Sequence, residues 1–268
     1  MKEKEMNQAT TDIQTSHTRN AHIAQQLHGA TFVVVVWYRY ADIIQLAMQD
    51  LLAAIADRPN TYILIIHNDS PDPAVRDLFY RFEHPQCMCV DLPFNFGQTL
   101  ASNFFFKKYI HANNLPKTVL SMDPDVLFSV SNFNQLVQAS ETLPQCGMLG
   151  MRYTNNNCNP ERNVWFPPRT LTATDGQTYR ISKPTLCTVA GPLFAVSGEK
   201  LWRLCDNRLF PADRTFVYGG ADSSLYLKLR RWYFNGYING LETTHMQSGI
   251  KRSVDVAALL AQRGPLIP

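Results

Sequence analysis

Asp123 and Asp125, separated by Pro124, follow the apolar segment Val119-Leu120-Ser121-Met122 directly and precede a second apolar pair, Val126 and Leu127. A strand ending in such a turn holds two carboxylates within reach of one hard cation. Mg²⁺ and Mn²⁺ are typically held by one or two carboxylates together with substrate phosphates, so a diphosphate ligand would complete the shell. A D-x-D string by itself also fits a solvated acidic turn. The elements around it decide between the two.

Those elements alternate. Thr31 to Tyr38 is a continuous β-branched and aromatic run, the pattern of a strand buried on both faces of a parallel sheet. Ile44, Ala47, Met48, Leu51, Leu52 and Ile55 recur on one helical stripe that ends at Arg58-Pro59-Asn60. Thr61 to His67 predicts a second buried strand, closed by the turn-forming run from Asn68 to Pro73. A short helix over Val75 to Phe82, a strand over Met88 to Leu92, a helix from Gln98 to about His111 and a strand over Thr118 to Met122 continue the pattern. The first half therefore predicts a Rossmann-like sheet that binds ligands beyond its carboxyl ends.

The second half predicts a helix over Asn132 to Ser140, a strand over Met148 to Tyr153, a hairpin at Asp175-Gly176 and a strand over Thr188 to Val196. Helices over Glu199 to Cys205 and Asp222 to Tyr233 follow. Residues 1–29 are polar without a sustained apolar period and predict a tail or a loosely attached helix adding little to the core. Residues 251–268 are expected to form a second tail.

Bulk composition narrows the classes. Lys and Arg number 25 against 22 Asp and Glu, a net charge of +3, which excludes a dedicated nucleic-acid binder. The apolar run from Phe32 to Tyr38 falls far short of the roughly 20 residues of a membrane span. The first 28 residues lack a secretory pattern, so a cytoplasmic location is expected. Six cysteines without a C-x-x-C pair argue against a zinc ribbon and for buried thiols.

The strand VVVVWYRYADII, the strand and turn ILIIHNDSPD, Asn95-Phe96-Gly97-Gln98 with Asn103, the D-P-D element and Gly219-Gly220-Ala221-Asp222 occur in a telling order. Together they resemble family 2 glycosyltransferases of bacterial polysaccharide or lipopolysaccharide type, over Thr31 to about Gly249. The resemblance implies an α/β GT-A fold: a Rossmann-like nucleotide-binding half over 30–127 with a mostly parallel central sheet, then an acceptor half over 128–250. It implies Mn²⁺ or Mg²⁺ on Asp123 and Asp125, with His245 as a further ligand, and a nucleotide diphosphate sugar as donor, UDP- or dTDP-linked.

The same resemblance implies donor contacts from Tyr38, Asn68, Asn95, Gln98 and Asp123, and Asp222 as the general base of an inverting transfer to a glycan or lipid-linked acceptor. The chain departs from the family pattern where Val36-Trp37-Tyr38-Arg39 stands for Pro-x-Tyr-Asn and His67-Asn68-Asp69-Ser70 for Asp-Asp-Gly-Ser. Ala221 replaces a Glu. Asn68 can accept the N3 proton of uracil or thymine through its carbonyl, or form an Asx turn. For Asn95, Gly97, Gln98 and Asn103 the alternative is helix capping. Asp222 is also placed to cap its helix, a role compatible with catalysis.

Lys228, Arg230, Arg231, Trp232, Tyr233 and Phe234 read either as a helix C-terminus or as a peripheral contact with the inner membrane face. Two other functions remain open. A sugar nucleotidyltransferase also pairs aspartates with a Rossmann-like half, although WYRYADII occupies the place of its Gly-rich basic loop. An inactive GT-A binding module would account for Ala221.

Overall fold

The computed structural model describes residues 19–153, 167–184, 189, 192–211, 221–246 and 255–267. The chain alternates strand and helix at first. Residues 19–25 belong to helix α1, followed by β1 (Thr31–Trp37), α2 (Ala41–Ile55), β2 (Thr61–His67), α3 (Pro73–Arg81), β3 (Cys87–Asp91), α4 (Gly97–Tyr109) and β4 (Thr118–Met122). Then come β5 (Val126–Phe128), α5 (Val130–Thr142), β6 (Cys146–Tyr153), β7 (Arg169–Thr172), β8 (Thr178–Ser182), β9 (Leu193–Ser197), α6 (Gly198–Leu204), α7 (Ala221–Leu229), β10 (Phe234–His245) and α8 (Val256–Arg263).

The ten strands of the described residues join one sheet in the order β3-β2-β1-β4-β9-β6-β10-β8-β7, with β5 on β10. From β3 to β4 every pairing is parallel. β9 then runs antiparallel to both β4 and β6. The carboxyl ends of β1 and β4 therefore lie side by side, where successive connections leave in opposite directions along the sheet. Open α/β sheets form their ligand crevice at such a switch point.

The unbroken apolar runs follow from burial on both faces. All seven residues of β1 and of β2 are buried. Along β1, Val33, Val35 and Trp37 join a core with α2, α3 and α5, whereas Phe32, Val34 and Val36 join another with α4 and α7. Each such Val or Ile contributes about 1.5–3 kcal/mol of burial, so the parallel half forms a stiff platform for its carboxyl-end loops.

Three regions differ from the sequence expectations. Within residues 1–29, helix α1 sets Ile23 (2% exposed) into the core beside Phe32 and Tyr62, and Leu27 (0%), just past the end of the helix, joins it there. Two apolar residues four apart are enough to dock this short segment, although they are too few to register as a period. Within 251–268, α8 is capped by the Asp255 side chain and pinned by Arg263 to Asp50 at 2.7 Å. The expected helix through Tyr233 stops at Leu229, and Phe234 opens β10, the longest strand.

β10 is hard to foresee because FNGYINGLETTH carries two glycines and two asparagines, residues that weaken strands. Its glycines are structural. A Cβ on Gly236 would lie 2.6 Å from the Ser182 carbonyl, and Gly240 has φ +89° where the pairing with β6 shifts register. The hairpin at Asp175-Gly176 joins β7 and β8 as expected, with Gly176 at φ +85°. Residues 154–166 and the Gly219-Gly220 pair lie outside the described residues.

Removing most of a fully buried isoleucine costs about 2–5 kcal/mol. Ile23→Ala is therefore expected to lower the melting temperature by about 5 °C or more. A midpoint unchanged within error in thermal denaturation would mean that this segment does not pack on the sheet.

Candidate metal and donor site

Asp123 and Asp125 occupy the step between β4 and β5. The amide of Asp123 donates to the carbonyl of Pro192 at 2.8 Å, just ahead of β9. Asp125 is fixed from the other side. β5 pairs antiparallel with the end of β10, so that His245 stands opposite Val126, and the Met246 amide donates to the Asp125 carbonyl at 2.7 Å. This register brings the imidazole to the carboxylates. His245 Nε2 lies 3.1 Å from Asp125 Oδ1 and 3.8 Å from Asp123 Oδ2.

One ligand atom from each of these three residues lies within 4.8 Å of the others. Two carboxylate oxygens and an imidazole nitrogen form a hard-to-borderline set that suits Mn²⁺ and tolerates Mg²⁺. Exposures of 24% for Asp123 and 16% for Asp125 and His245 leave an open side for a ligand. The residues present fit a divalent cation.

Electrostatics point the same way. Burial, followed by the Asp125 charge and a smaller contribution from Asp222, pushes the Asp123 carboxyl up to about 7, against the opposing effects of His245 and Gln98. Burial alone would lower His245. The hydrogen bond and charge of Asp125, with the charge of Asp123, outweigh it and hold the imidazole above its ordinary range. Without a cation, protons are the remaining means of relieving two adjacent carboxylates.

The surrounding residues divide into two groups. Gln98, at the second position of α4, donates its side-chain amide to Asp123 Oδ1 at 2.7 Å. Asp222 stands in the first turn of α7, half-buried, with Oδ1 accepting from the Ser223 amide at 2.8 Å. Its charge reaches Asp123. Ala221 before it is already helical, so Asp222 lies inside the helix and is not its capping residue. Tyr38 leaves β1 half-buried, with the Arg39 guanidinium 5.1 Å from its ring centre.

Asn68 and Asn103 face the protein, while Asn95 is exposed and turns its side-chain carbonyl inward. Asn68 is 1% exposed; its carbonyl accepts from the Phe96 amide at 2.9 Å, and its NH₂ donates to Asn95 Oδ1 at 2.8 Å. Asn95 Oδ1 also accepts from the Gly97 amide at 2.8 Å. Asn103 exchanges two hydrogen bonds with the Phe210 backbone. The asparagine expected to read a base is thus a clamp on the entry to α4. Leaving its partners unpaired in the interior would cost about 1–3 kcal/mol each.

Two further positions escape a reading based on residue types. Ser70, fully buried, donates its hydroxyl to the Tyr38 carbonyl and its amide to His67 Nε2 at 3.3 Å. The same ring meets Asp91 Oδ1 through Nδ1 at 2.6 Å, which assigns the proton to Nδ1. The β2 exit loop is therefore tied to both neighbouring strands. A serine three residues past the apolar run, in a position to form a local turn, is the only sequence signal for this anchor.

The fold is similar to that of the mannosyltransferase PcManGT from Pyrobaculum calidifontis, solved in complex with GDP-Man and Mn²⁺. The TM-score is 0.55 at 16% identity, covering 98% of this chain and 76% of that one. It is also similar to S. aureus TarS 1-349 (TM-score 0.52, 14% identity, 80% of this chain) and to the same protein in complex with UDP-GlcNAc (0.52, 13%, 87%). This chain spans 59% and 66% of those two TarS chains. The α/β fold observed is of the GT-A class. No family model matches the sequence, and no curated protein matches it.

Cation binding must displace the Asp123 proton, and the imidazole must be neutral to ligate. Below about pH 7 the apparent Mn²⁺ affinity is therefore expected to fall by about tenfold per pH unit for each proton displaced, and above about pH 8 it should level off. Isothermal titration with Mn²⁺ between about pH 6 and pH 8 checks this. A dissociation constant independent of pH would overturn it.

Proposed function

We propose that this protein is a metal-dependent glycosyltransferase of family 2 that moves a hexosyl group from a nucleotide diphosphate sugar to a hydroxyl of a glycan or lipid-linked acceptor, with inversion. The convergence of Asp123, Asp125 and His245 at the carboxyl edge of a GT-A sheet carries this reading. When bound there, a divalent cation supplies charge neutralisation for the departing diphosphate.

The chain's own groups would supply the rest. Asp222 would accept the proton of the acceptor hydroxyl as its oxygen bonds to the anomeric carbon, while the bond from that carbon to the diphosphate oxygen breaks. Its supports are a position in the first turn of α7 and a charge that reaches Asp123. Tyr38 and the α4 entry held by Asn68 and Asn95 would border the donor. Asn68 would act there through the loop, since both ends of its amide are engaged. PcManGT with GDP-Man and TarS with UDP-GlcNAc widen the candidate donors beyond UDP- and dTDP-sugars.

A lipid-linked acceptor would bring the protein to a membrane surface. The exposed run Arg230-Arg231-Trp232, with Trp232 71% accessible, supports peripheral contact. Among the described residues no helix is long and apolar enough to cross a membrane. Ala221 in the place of the family's Glu favours one rival, a binding module without turnover.

Incubation with Mn²⁺ and a panel of GDP-, UDP- and dTDP-sugars is expected to raise the melting temperature for one donor and, with acceptor, to release nucleoside diphosphate. Pyrophosphate release would indicate nucleotidyl transfer, and binding without release a non-catalytic module. Asp222→Asn should keep donor and Mn²⁺ binding and lower transfer by about 10²-fold or more. Near-normal turnover in that variant would assign the base elsewhere.

A further inference from the structure

Gln98 stands among the residues expected to touch the donor, yet its amide is directed at a carboxylate. Nε2 donates to Asp123 Oδ1 at 2.7 Å, whereas Asp123 Oδ2 is the oxygen 3.8 Å from His245. The two oxygens of one carboxylate therefore have different partners, one tied to the scaffold and the other turned to the cluster. We infer that Gln98 is a positioning residue for the cation: it holds the Asp123 carboxylate in the orientation that offers a single oxygen to the metal. This inference rests on the reading of Asp123, Asp125 and His245 as a metal site.

The chemistry of the amide suits that task. A carboxylate beside a second carboxylate tends to rotate away or take up a proton, and a donor on its outer oxygen opposes both. A lysine or arginine would oppose them more strongly, but would bring a positive charge to the place where a cation must bind. A glutamine supplies the N–H with no charge. Partners of this kind, one step removed from a metal, orient ligands and typically change affinity by about 10- to 100-fold when removed.

The scaffold behind Gln98 is built for fixed placement. Gly97 precedes it at φ +72°, a conformation suited to glycine, so that the helix starts abruptly. The preceding backbone is clamped, with the Phe96 amide on Asn68 Oδ1 and the Gly97 amide on Asn95 Oδ1. Asn68 is in turn held through its own amide, which donates to the Trp37 carbonyl at 3.0 Å. A chain of buried or half-buried contacts thus runs from β1 through the β2 exit and the α4 entry to Asp123. The asparagines expected at the nucleotide belong to the support of a metal ligand.

Gln98→Met keeps the length and volume of the side chain and removes the donor; Gln98→Asn keeps the amide but is one methylene too short to reach. Both are measured with Mn²⁺ alone, by the electron paramagnetic resonance signal of the free ion, alongside metal-free melting curves. Both variants are expected to melt like the parent protein and to bind Mn²⁺ about 10- to 100-fold more weakly. Metal-free binding of nucleoside diphosphates should stay unchanged. Parent-like Mn²⁺ affinity with weakened nucleotide binding would overturn the inference and make Gln98 a donor contact. If the parent protein itself takes up no Mn²⁺, the metal reading fails and the inference with it.

Discussion

A three-residue antiparallel ladder joins parts of the chain separated by more than a hundred residues, and the site depends on it. Pairing Thr243, Thr244 and His245 with Phe128, Leu127 and Val126 is the step that makes an imidazole the neighbour of Asp125. So short a ladder has little strength of its own, and its surroundings reinforce it. The Thr243 hydroxyl donates to the Leu127 carbonyl, Asn132 donates to the Glu242 carbonyl, and half-buried Asp50 accepts from the Phe128 amide. These bonds bring the imidazole to two carboxylates that repel each other. Two like unit charges about 4 Å apart repel by about 4 kcal/mol at the effective dielectric of a protein surface, so the turn from β4 to β5 imposes a proximity that charge opposes and His245 relieves.

The two halves of the sheet divide this labour. The parallel half, buried on both faces, presents the exits of β1, β2 and β4 at one edge; Ser70, His67 and Asn68 lash the first two to each other and to the α4 entry, and Gln98 ties that entry to Asp123 at the third. The mixed half supplies what the parallel half lacks: His245 from β10 and Asp222 from α7. β9, antiparallel to β4 and β6, joins them, and the Pro192 carbonyl at its entry accepts from the Asp123 amide. The site thus forms along the boundary between the halves.

Much of the first half was legible because its signals are local. β1 and β2 are runs of apolar, mostly β-branched residues, α2 is a stripe at helical spacing, and the aspartates follow an apolar strand with nothing between. The second half depended on tertiary register. His245 could be named as a ligand only through a family resemblance, because nothing near Thr-Thr-His-Met indicates which strand lies opposite. β10 was masked by glycines that a strand ordinarily avoids, and these are required where Ser182 approaches at Gly236 and a bulge forms at Gly240. Asn68 shows a different limit: residue type revealed a polar group at a strand end, but not that it would turn inward.

The short link between α7 and β10 has a consequence for how such a chain can diverge. Buried Asn235 bonds the Met148 amide and the Tyr226 carbonyl, and Gly147 leaves no room beneath it, since a Cβ there would lie 2.3 Å from its Oδ1. The turn from Leu229 to Phe234 is therefore clasped at a set length, with Asp222 on one side and His245 on the other. Because strand side chains alternate between faces, one inserted or deleted residue after this clasp would turn His245 to the wrong face unless a new bulge absorbed the slip. Descendants of this sequence are free to exchange many side chains along this stretch, but insertions and deletions there should be purged, making the spacing of the segment a more durable ancestral mark than its composition.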